Sequence, residues 1–292
     1  MGRGPSCLRP RTIVLGANPQ PNLLDPRAVD VFIPTYNSKA HLAACLSAVR
    51  QSLPVRRIVI IDHHSDDGTL EIARANDCEV LPEDQGLGYA RQLAIDNAQT
   101  EIFAMVESDL VYSETGWYAR ALAGLTERVG AIVAYVPRGS ANERGRYAEF
   151  WSRYTPLRSR RHGFSAGSTL FRLEAVKGIQ VPRFLNAYED VYIMRQMRKR
   201  GWRYGTVEVD GTHYSDVDSN RKARWYGANA RVLYSLEPGD ASLLRRHVTM
   251  PILGLVASIG TASPGVFAWS VSFSANFLLG WSSPSRFSRL KR

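Results

Sequence analysis

Three short stretches concentrate side chains able to do chemistry. The first runs Asp62-His63-His64-Ser65-Asp66-Asp67-Gly68, directly after the apolar run Ile58-Val59-Ile60-Ile61. An acidic group, two imidazoles and an acidic turn therefore sit where a buried strand should end. Two readings stay open: a metal held by the paired histidines, or a nucleotide pocket at the mouth of an α/β sheet. Adjacent side chains on a strand end diverge, which weighs against a shared zinc ion. The second stretch is Glu107-Ser108-Asp109, after "IFAMV"; carboxylates two apart on extended backbone point the same way. The third is Glu189-Asp190, which opens a helical pattern, a place where the helix dipole favours negative charge whatever else the pair does. Arg91 in "GLGYARQ", His213 in "DGTHYS" and Arg224 in "RKARW" are single candidates beside them.

These groups need elements to position them. "VDVFIP" predicts a buried strand, and the segment after it puts Leu42, Cys45, Leu46, Val49 and Leu53 on one helical face. "RIVIID" predicts the next strand, "GTLEIARAN" a short helix begun by an acidic turn, "EVLP" a brief strand, "GLGYARQLAIDNA" a helix and "EIFAMVE" a strand. Strand–helix alternation with short connections calls for a mostly parallel sheet covered on both faces, and such sheets bind ligands beyond the carboxyl ends of their strands. Thr35-Tyr36-Asn37, Asp62 and Glu107-Ser108-Asp109 all fall at those ends. After Val136 the rhythm changes, through "GFSAGSTLFRLEAV", a helix in "AYEDVYIMRQMRKRGW", one strand over "RYGTVEVDGTHYS", and a helix from about Asn220 to Leu236.

The chain has 292 residues and a formal charge of +10. Its cations cluster: seven arginines lie between Arg138 and Arg161, with further runs at Arg195–Arg203 and Arg221–Arg224. Such a bias implies an anionic partner, whether nucleic acid, a lipid surface or a phosphorylated substrate; ordinary solvated surface is the alternative. Basic residues interleaved with a nucleic-acid reader motif are not found, so no nucleic-acid partner is expected. Cys7, Cys45 and Cys78 are far apart with no CxxC spacing, which predicts neither disulfides nor a zinc site and fits a reduced compartment. Residues 1–28 read as a flexible basic segment without a secretory h-region. From Val248 to Ser285 there is no charged residue, and Pro264-Gly265 divides that tail. With Arg245 and Arg246 before it and Arg286 after it, the tail predicts a re-entrant or in-plane hairpin on the inner face of a membrane; a hairpin packed on protein is the other reading.

The ordered set "VDVFIPTYN", "IIDHHSDDGT", "GLGYARQ", "VESDL", "FSAGSTLFR" and "AYEDVYIMRQMRKRGW" resembles glycosyltransferase family 2, whose members have the GT-A fold. The resemblance covers Val29 to about Trp225. It implies an α/β, Rossmann-like fold with a donor-binding half over 29–136 and an acceptor half over 137–244, followed by the hydrophobic tail over 245–292. By the same resemblance Pro34, Thr35 and Tyr36 line a base and ribose pocket, Asp62 accepts a hydrogen bond from the base, and Arg91 reaches toward the nucleotide. Glu107, Ser108 and Asp109 take the family's DxD position, with Glu107 meeting the ribose and Asp109 ligating a divalent cation, Mn²⁺ or Mg²⁺. His213 falls where a late metal ligand stands. Asp190 is the expected catalytic base, supported by Glu189, and Arg224 the expected neutraliser of the leaving diphosphate. Where the family continues with a second acidic residue, this chain has His63.

Two classes of function follow. One is a metal-dependent inverting glycosyltransferase that uses a nucleoside-diphosphate sugar and a lipid-linked or glycan acceptor at the cytoplasmic side of a membrane. The other is a catalytically lapsed GT-A-fold protein that binds nucleotides or anions. Persistence of Glu107, Asp109, Glu189 and Asp190 favours the enzyme.

Overall fold

A computed structural model of the chain describes residues 28–136, 142–154, 164–214, 219–238 and 240–287. The basic N-terminal segment and much of the arginine-rich stretch lie outside the described residues.

The first half alternates as the hydrophobic pattern requires: β1 (Val29–Thr35), α1 (Lys39–Ser52), β2 (Val55–Asp62), α2 (Thr69–Ala75), β3 (Glu79–Pro82), α3 (Leu87–Asn97) and β4 (Ile102–Val106). It continues through β5 (Leu110–Tyr112), α4 (Trp117–Gly124), β6 (Val129–Tyr135) and α5 (Glu143–Tyr154). The second half holds β7 (Ser168–Arg172), α6 (Leu173–Val176), α7 (Glu189–Lys199), β8 (Arg203–Glu208), β9 (Gly211–His213) and α8 (Ser219–Leu236). Three helices close the chain: α9 (Ser242–Gly260), α10 (Pro264–Ser282) and α11 (Pro284–Phe287).

Seven strands form one sheet in the order β3-β2-β1-β4-β7-β6-β8. Every neighbouring pair is parallel except those made by β7, which runs antiparallel to β4 and β6. Side chains alternate between its faces. Val29, Val31 and Ile33 of β1 pack with Leu42 and Leu46 of α1 and Trp117 of α4, while Phe32 turns to Ala90 and Ala94 of α3 and Ile193 and Met197 of α7. On that second face Phe103 stands edge-on to Phe32 at 5.9 Å and stacks on Phe171 at 5.4 Å. Burying each such ring contributes about 1.5–3 kcal/mol.

Asp30 is fully buried on β1, and its carboxylate takes bonds from Arg56 Nε at 2.7 Å and the Gln99 N–H at 2.9 Å. Burial alone would raise its pKa; the bonds from Arg56, Gln99 and Arg57 outweigh it and hold the carboxyl below its ordinary range.

The segment expected to be one strand is two. β8 ends at Glu208, and β9 leaves the main sheet to pair antiparallel with β5, His213 lying opposite Leu110. That departure carries His213 to the end of β4, because the Tyr214 N–H then donates to the Asp109 carbonyl at 2.9 Å.

The uncharged tail is a helical hairpin docked on α8 through small residues. A Cβ at Gly280 would lie 1.9 Å from the Arg224 carbonyl oxygen, and one at Gly227 1.9 Å from that of Phe277, so the backbones of α8 and α10 touch. Gly254 of α9 makes room for a side chain instead, since a Cβ there would lie 1.9 Å from Ser270 Oγ of α10. The outer face is different. Val248, Ile252, Leu255, Val256 and Ile259 form one exposed stripe along α9, with Phe267, Val271, Leu278 and Leu279 exposed on α10. No helix among the described residues is long and apolar enough to cross a membrane.

Candidate active site

The sheet's strand order reverses at β1, whose neighbours β2 and β4 lie on either side of it, and a crevice at such a point is where α/β sheets take ligands. The loops leaving β1 and β2 are locked together. Asp67 accepts from the Lys39 N–H at 3.0 Å and the Thr69 N–H at 3.0 Å, tying the first turns of α1 and α2. Gly68 supplies the φ of 101° that lets α2 start there.

Asp62 is buried, and both of its oxygens are engaged. Oδ1 accepts from Thr35 Oγ1 at 2.7 Å and Ser65 Oγ at 2.6 Å, and Oδ2 accepts from the Ser65 N–H at 2.8 Å. Thr35 and Asp62 are thus brought together, and Asp62 ties the loop after β2 to the end of β1. Pro34 pairs across to Ile61 in the ladder, and Tyr36 lies at the strand end with its ring 5.5 Å from that of His63, edge to face. The rings of His63 and His64 lie 5.9 Å apart, tilted by 53°, and His63 Nδ1 stands 2.7 Å from Glu83 Oε1.

At the end of β4, Glu107, Asp109 and His213 converge. His213 Nε2 lies 2.6 Å from Glu107 Oε2 and 3.4 Å from Asp109 Oδ1. One ligand atom from each side chain falls within 4.8 Å of the other two, an oxygen–oxygen–nitrogen set that suits a hard or borderline divalent cation. Glu107 thus joins the metal-capable cluster, whereas the sequence reading gave it a ribose contact. The Ser108 hydroxyl lies 2.9 Å from that of Ser38, linking this loop to the start of α1. Burial and then the neighbouring Glu107 charge push the Asp109 carboxyl above its ordinary range, partly offset by His213 and Lys222. Two carboxylates held this close favour a cation between them.

Room for Glu107 comes from Gly167. Glu107 donates its N–H to the Gly167 carbonyl at 2.6 Å and folds its side chain over the glycine, where a Cβ would stand 2.2 Å from Glu107 Cγ.

The acidic pair opens α7. Glu189 is buried, and Arg91 Nε sits 3.4 Å from its Oε1. Arg91 is itself only 2% exposed and bonds Glu189 through Nε, while its Nη1 is buried without a hydrogen-bond partner. Burial raises the Glu189 carboxyl, against which Arg91 pulls down. Asp190 is pushed well above the ordinary aspartate range by burial and then by the Glu189 charge, and Glu107 adds to both. The two acidic clusters therefore feel one another across the site.

Arg224 is not brought to this cluster. Its Nη1 donates to Asn276 of α10 at 2.7 Å, and its guanidinium lies over the Phe287 ring. Lys222, two residues earlier on α8, is the cation whose charge reaches Asp109. Glu83, Gly167 and Lys222 are site residues that sequence reasoning missed. Glu83 had a local signal, an acidic residue just past the brief strand "EVLP"; Gly167 and Lys222 had none beyond their place in "FSAGS" and the basic run.

A mostly parallel sheet, with paired carboxylates at the end of its fourth strand and a second acidic pair opening the helix beyond, has the architecture of the GT-A fold. The sequence model of glycosyl transferase family 2 matches residues 30–177. The chain belongs to glycosyl transferase family 2. It is 30% identical over 136 residues to the glycosyltransferase AglE of Haloferax volcanii, covering 42% of this chain and 44% of that protein. It is 32% identical over 89 residues to the putative glycosyltransferase EpsH of Bacillus subtilis, over 28% of this chain and 26% of that one. The aligned regions thus span less than half the length of either relative.

Among solved structures, the mannosyltransferase PcManGT of Pyrobaculum calidifontis, in complex with GDP-Man and Mn²⁺, shares the fold at a TM-score of 0.55 and 19% identity, over 91% of this chain and 83% of that one. Glucosyl-3-phosphoglycerate synthase of Mycobacterium tuberculosis, with Mn²⁺, UDP and glucosyl-3-phosphoglycerate, does so at 0.51 and 17%, over 72% of this chain and 79% of that one.

Proposed function

We propose that this chain is a metal-dependent inverting glycosyltransferase, moving a sugar from a nucleoside-diphosphate sugar to a hydroxyl or phosphate of an acceptor. The observation that carries the reading is the convergence of Glu107, Asp109 and His213 from two separate strands at the switch point of the sheet, within reach of the Asp190 charge. The donor set fits Mn²⁺ or Mg²⁺, the ions found with nucleotide or nucleotide sugar in the structural neighbours. A cation bound there supplies positive charge to a diphosphate leaving group. Glu107, Asp109 and His213 hold it, and Lys222 adds a second positive charge on the same side. Asp190 takes the proton of the attacking acceptor, and its raised pKa suits that task, since a base works best near the operating pH. Glu189, fixed by Arg91, keeps a second negative charge beside Asp190.

The acceptor is proposed to be lipid-linked. The exposed stripe of α9 starts beside Arg245 and Arg246, both exposed. Arg246 also draws the pKa of the buried Tyr188 hydroxyl down against burial, so its charge reaches the residue preceding Glu189. An apolar face with a cation at its end, next to the proposed base, suits a long-chain lipid phosphate lying at a membrane surface. The test is release of nucleoside diphosphate from GDP-mannose and UDP-glucose with Mn²⁺, with and without a polyprenyl phosphate in detergent. Lipid-stimulated release that is lost in Asp190→Asn supports the reading; no turnover of either donor with the lipid overturns it.

A further inference from the structure

Asp190 stands just beyond a strained piece of backbone. Tyr188, the residue before α7, has a φ of 63°, in the left-handed region that a bulky side chain avoids. Such a conformation persists only where its surroundings enforce it. At this turn much of the enforcement comes from α8. The Tyr188 ring lies 5.5 Å from that of Tyr226. Two residues before the turn, the Asn186 N–H donates to Asn229 Oδ1 at 3.0 Å, and Asn229 is fully buried.

We infer that Tyr226 and Asn229 are positioning residues for the proposed base: they hold the left-handed turn at Tyr188 and so fix where α7 presents Asp190. The inference rests on the glycosyltransferase reading above, since it needs Asp190 to act on an acceptor.

The spacing along α8 comes first. Lys222, Tyr226 and Asn229 stand at i, i+4 and i+7, which puts them on one helical face. Lys222 is the cation whose charge reaches Asp109, so this single face spans from the metal-capable cluster to the turn before the base. The opposite face is fixed to the hairpin. A Cβ on Gly227 would lie 1.9 Å from the Phe277 carbonyl oxygen, and Arg224 bonds Asn276, so α8 has no freedom to roll or withdraw.

Asn229 is oriented for its contact. Its Nδ2 donates to the Trp225 carbonyl at 3.0 Å, which turns Oδ1 to the Asn186 N–H. Asn186 Oδ1 in turn accepts from the Leu87 N–H at 3.1 Å, and Gln92 Oε1 from the Val181 N–H at 2.7 Å, so the same loop is tied to α3, the helix that carries Arg91. Past the turn, the Tyr192 N–H donates to the Tyr188 carbonyl at 2.9 Å, so the direction of the Tyr188 peptide sets the first turn of α7. Released from α8, Tyr188 relaxes toward a negative φ, that peptide rotates, and Asp190 leaves its place. Misplacing a catalytic group by about 1 Å can cost about 10²-fold in rate.

The experiment compares the wild type, Asn229→Leu and Asn229→Leu with Tyr188→Gly. It reads a thermal melt, Mn²⁺-dependent binding of UDP and GDP, and steady-state turnover of GDP-mannose and UDP-glucose with a polyprenyl phosphate. Leucine fills the asparagine's space but offers the Asn186 N–H no acceptor. Asn229→Leu should lower kcat by about 10- to 100-fold, with nucleotide affinity and the donor KM unchanged. Adding Tyr188→Gly should return part of the lost kcat, because glycine takes a left-handed φ at no steric cost; a role in stability alone gives no such rescue. A folded Asn229→Leu protein with the wild-type kcat would overturn the inference while leaving the glycosyltransferase reading standing. So would a fall in kcat matched by loss of nucleotide binding, or one that glycine does not relieve. If the wild type turns over neither donor, that reading falls and the inference falls with it. Should Asn229→Leu fail to fold, Tyr226→Leu takes its place: it removes the ring beside Tyr188, and the same loss and the same relief by Tyr188→Gly are expected.

Discussion

Gly167→Ala is the most informative small change available. The backbone at Gly167 does not need a left-handed φ, so alanine is tolerated by the main chain itself. Its Cβ, however, would lie 2.2 Å from Glu107 Cγ, 2.5 Å from Cδ and 2.3 Å from Oε1. Carbon atoms pack at about 3.5–4.0 Å, so the carboxylate must move by roughly an ångström or more. The Glu107 backbone cannot yield instead, being bonded through its N–H to the Gly167 carbonyl at 2.6 Å. The 2.6 Å approach of Glu107 to His213 is therefore lost, and with it one of the three groups arranged to hold a cation. Displacing such a group typically costs about 10–100-fold in metal affinity. Because Glu107 is half-buried and can swing outward, the cost in fold stability should stay near about 1 kcal/mol, the low end for overpacking. The assay is Mn²⁺ binding followed by electron paramagnetic resonance, paired with a thermal melt. A folded Gly167→Ala protein that binds Mn²⁺ as tightly as the wild type would show that Glu107 is not positioned by Gly167 for a metal.

Further expectations concern the rest of the site and the hairpin. Asp190→Asn should lower kcat by about 10²–10⁴-fold with nucleotide affinity unchanged, as for loss of a general base. Because burial and Glu189 raise the Asp190 carboxyl, the acid limb of the kcat–pH profile should lie above the ordinary aspartate range, with activity growing as pH rises through it; a limb within the ordinary aspartate range would contradict that placement. Arg91→Met leaves the buried Glu189 without its cation, and urea denaturation near neutral pH should show a loss of about 3–5 kcal/mol. Asp30, with its depressed carboxyl, contributes stability that is present above the unfolded-state pKa and lost as pH falls through the folded-state one; Asp30→Asn should flatten that part of the stability–pH curve. Ile252→Asp with Ile259→Asp, on the exposed stripe of α9, should abolish flotation with vesicles of anionic phospholipid while the melting temperature holds.

Much of the donor half could be read from periodicity, because β1, β2 and β4 are buried on both faces and each runs into a polar turn at the ligand end. The paired carboxylates at 107 and 109 were visible for the same reason: an extended backbone sets their direction locally. What the sequence concealed depends on long-range placement. Glu189 lies 98 positions from Arg91, and no local pattern reveals that an amphipathic helix turns its arginine inward to meet it. β9 merged with β8 in the apolar pattern, although it leaves the main sheet for β5 just past Asp210. Arg224 was expected at the diphosphate from its place in "RKARW". A helix turns about 100° per residue, so Lys222 and Arg224 face nearly opposite ways, and the close contact of Gly280 with α8 fixes which of them faces α10. Asp62 was legible as a conspicuous acidic residue, but its hydrogen bonds to Thr35 and Ser65 could only be seen once the two loops were folded together.

The central claim, a cation-dependent nucleotide site at Glu107, Asp109 and His213, is tested most directly by calorimetry of UDP and GDP with and without Mn²⁺ on the wild type and Asp109→Ala. The account predicts that at least one nucleotide binds in a Mn²⁺-dependent manner and that Asp109→Ala abolishes the metal-dependent part in a protein that still folds. Binding of neither nucleotide by the wild type, or Mn²⁺-dependent binding unchanged in Asp109→Ala, would contradict it.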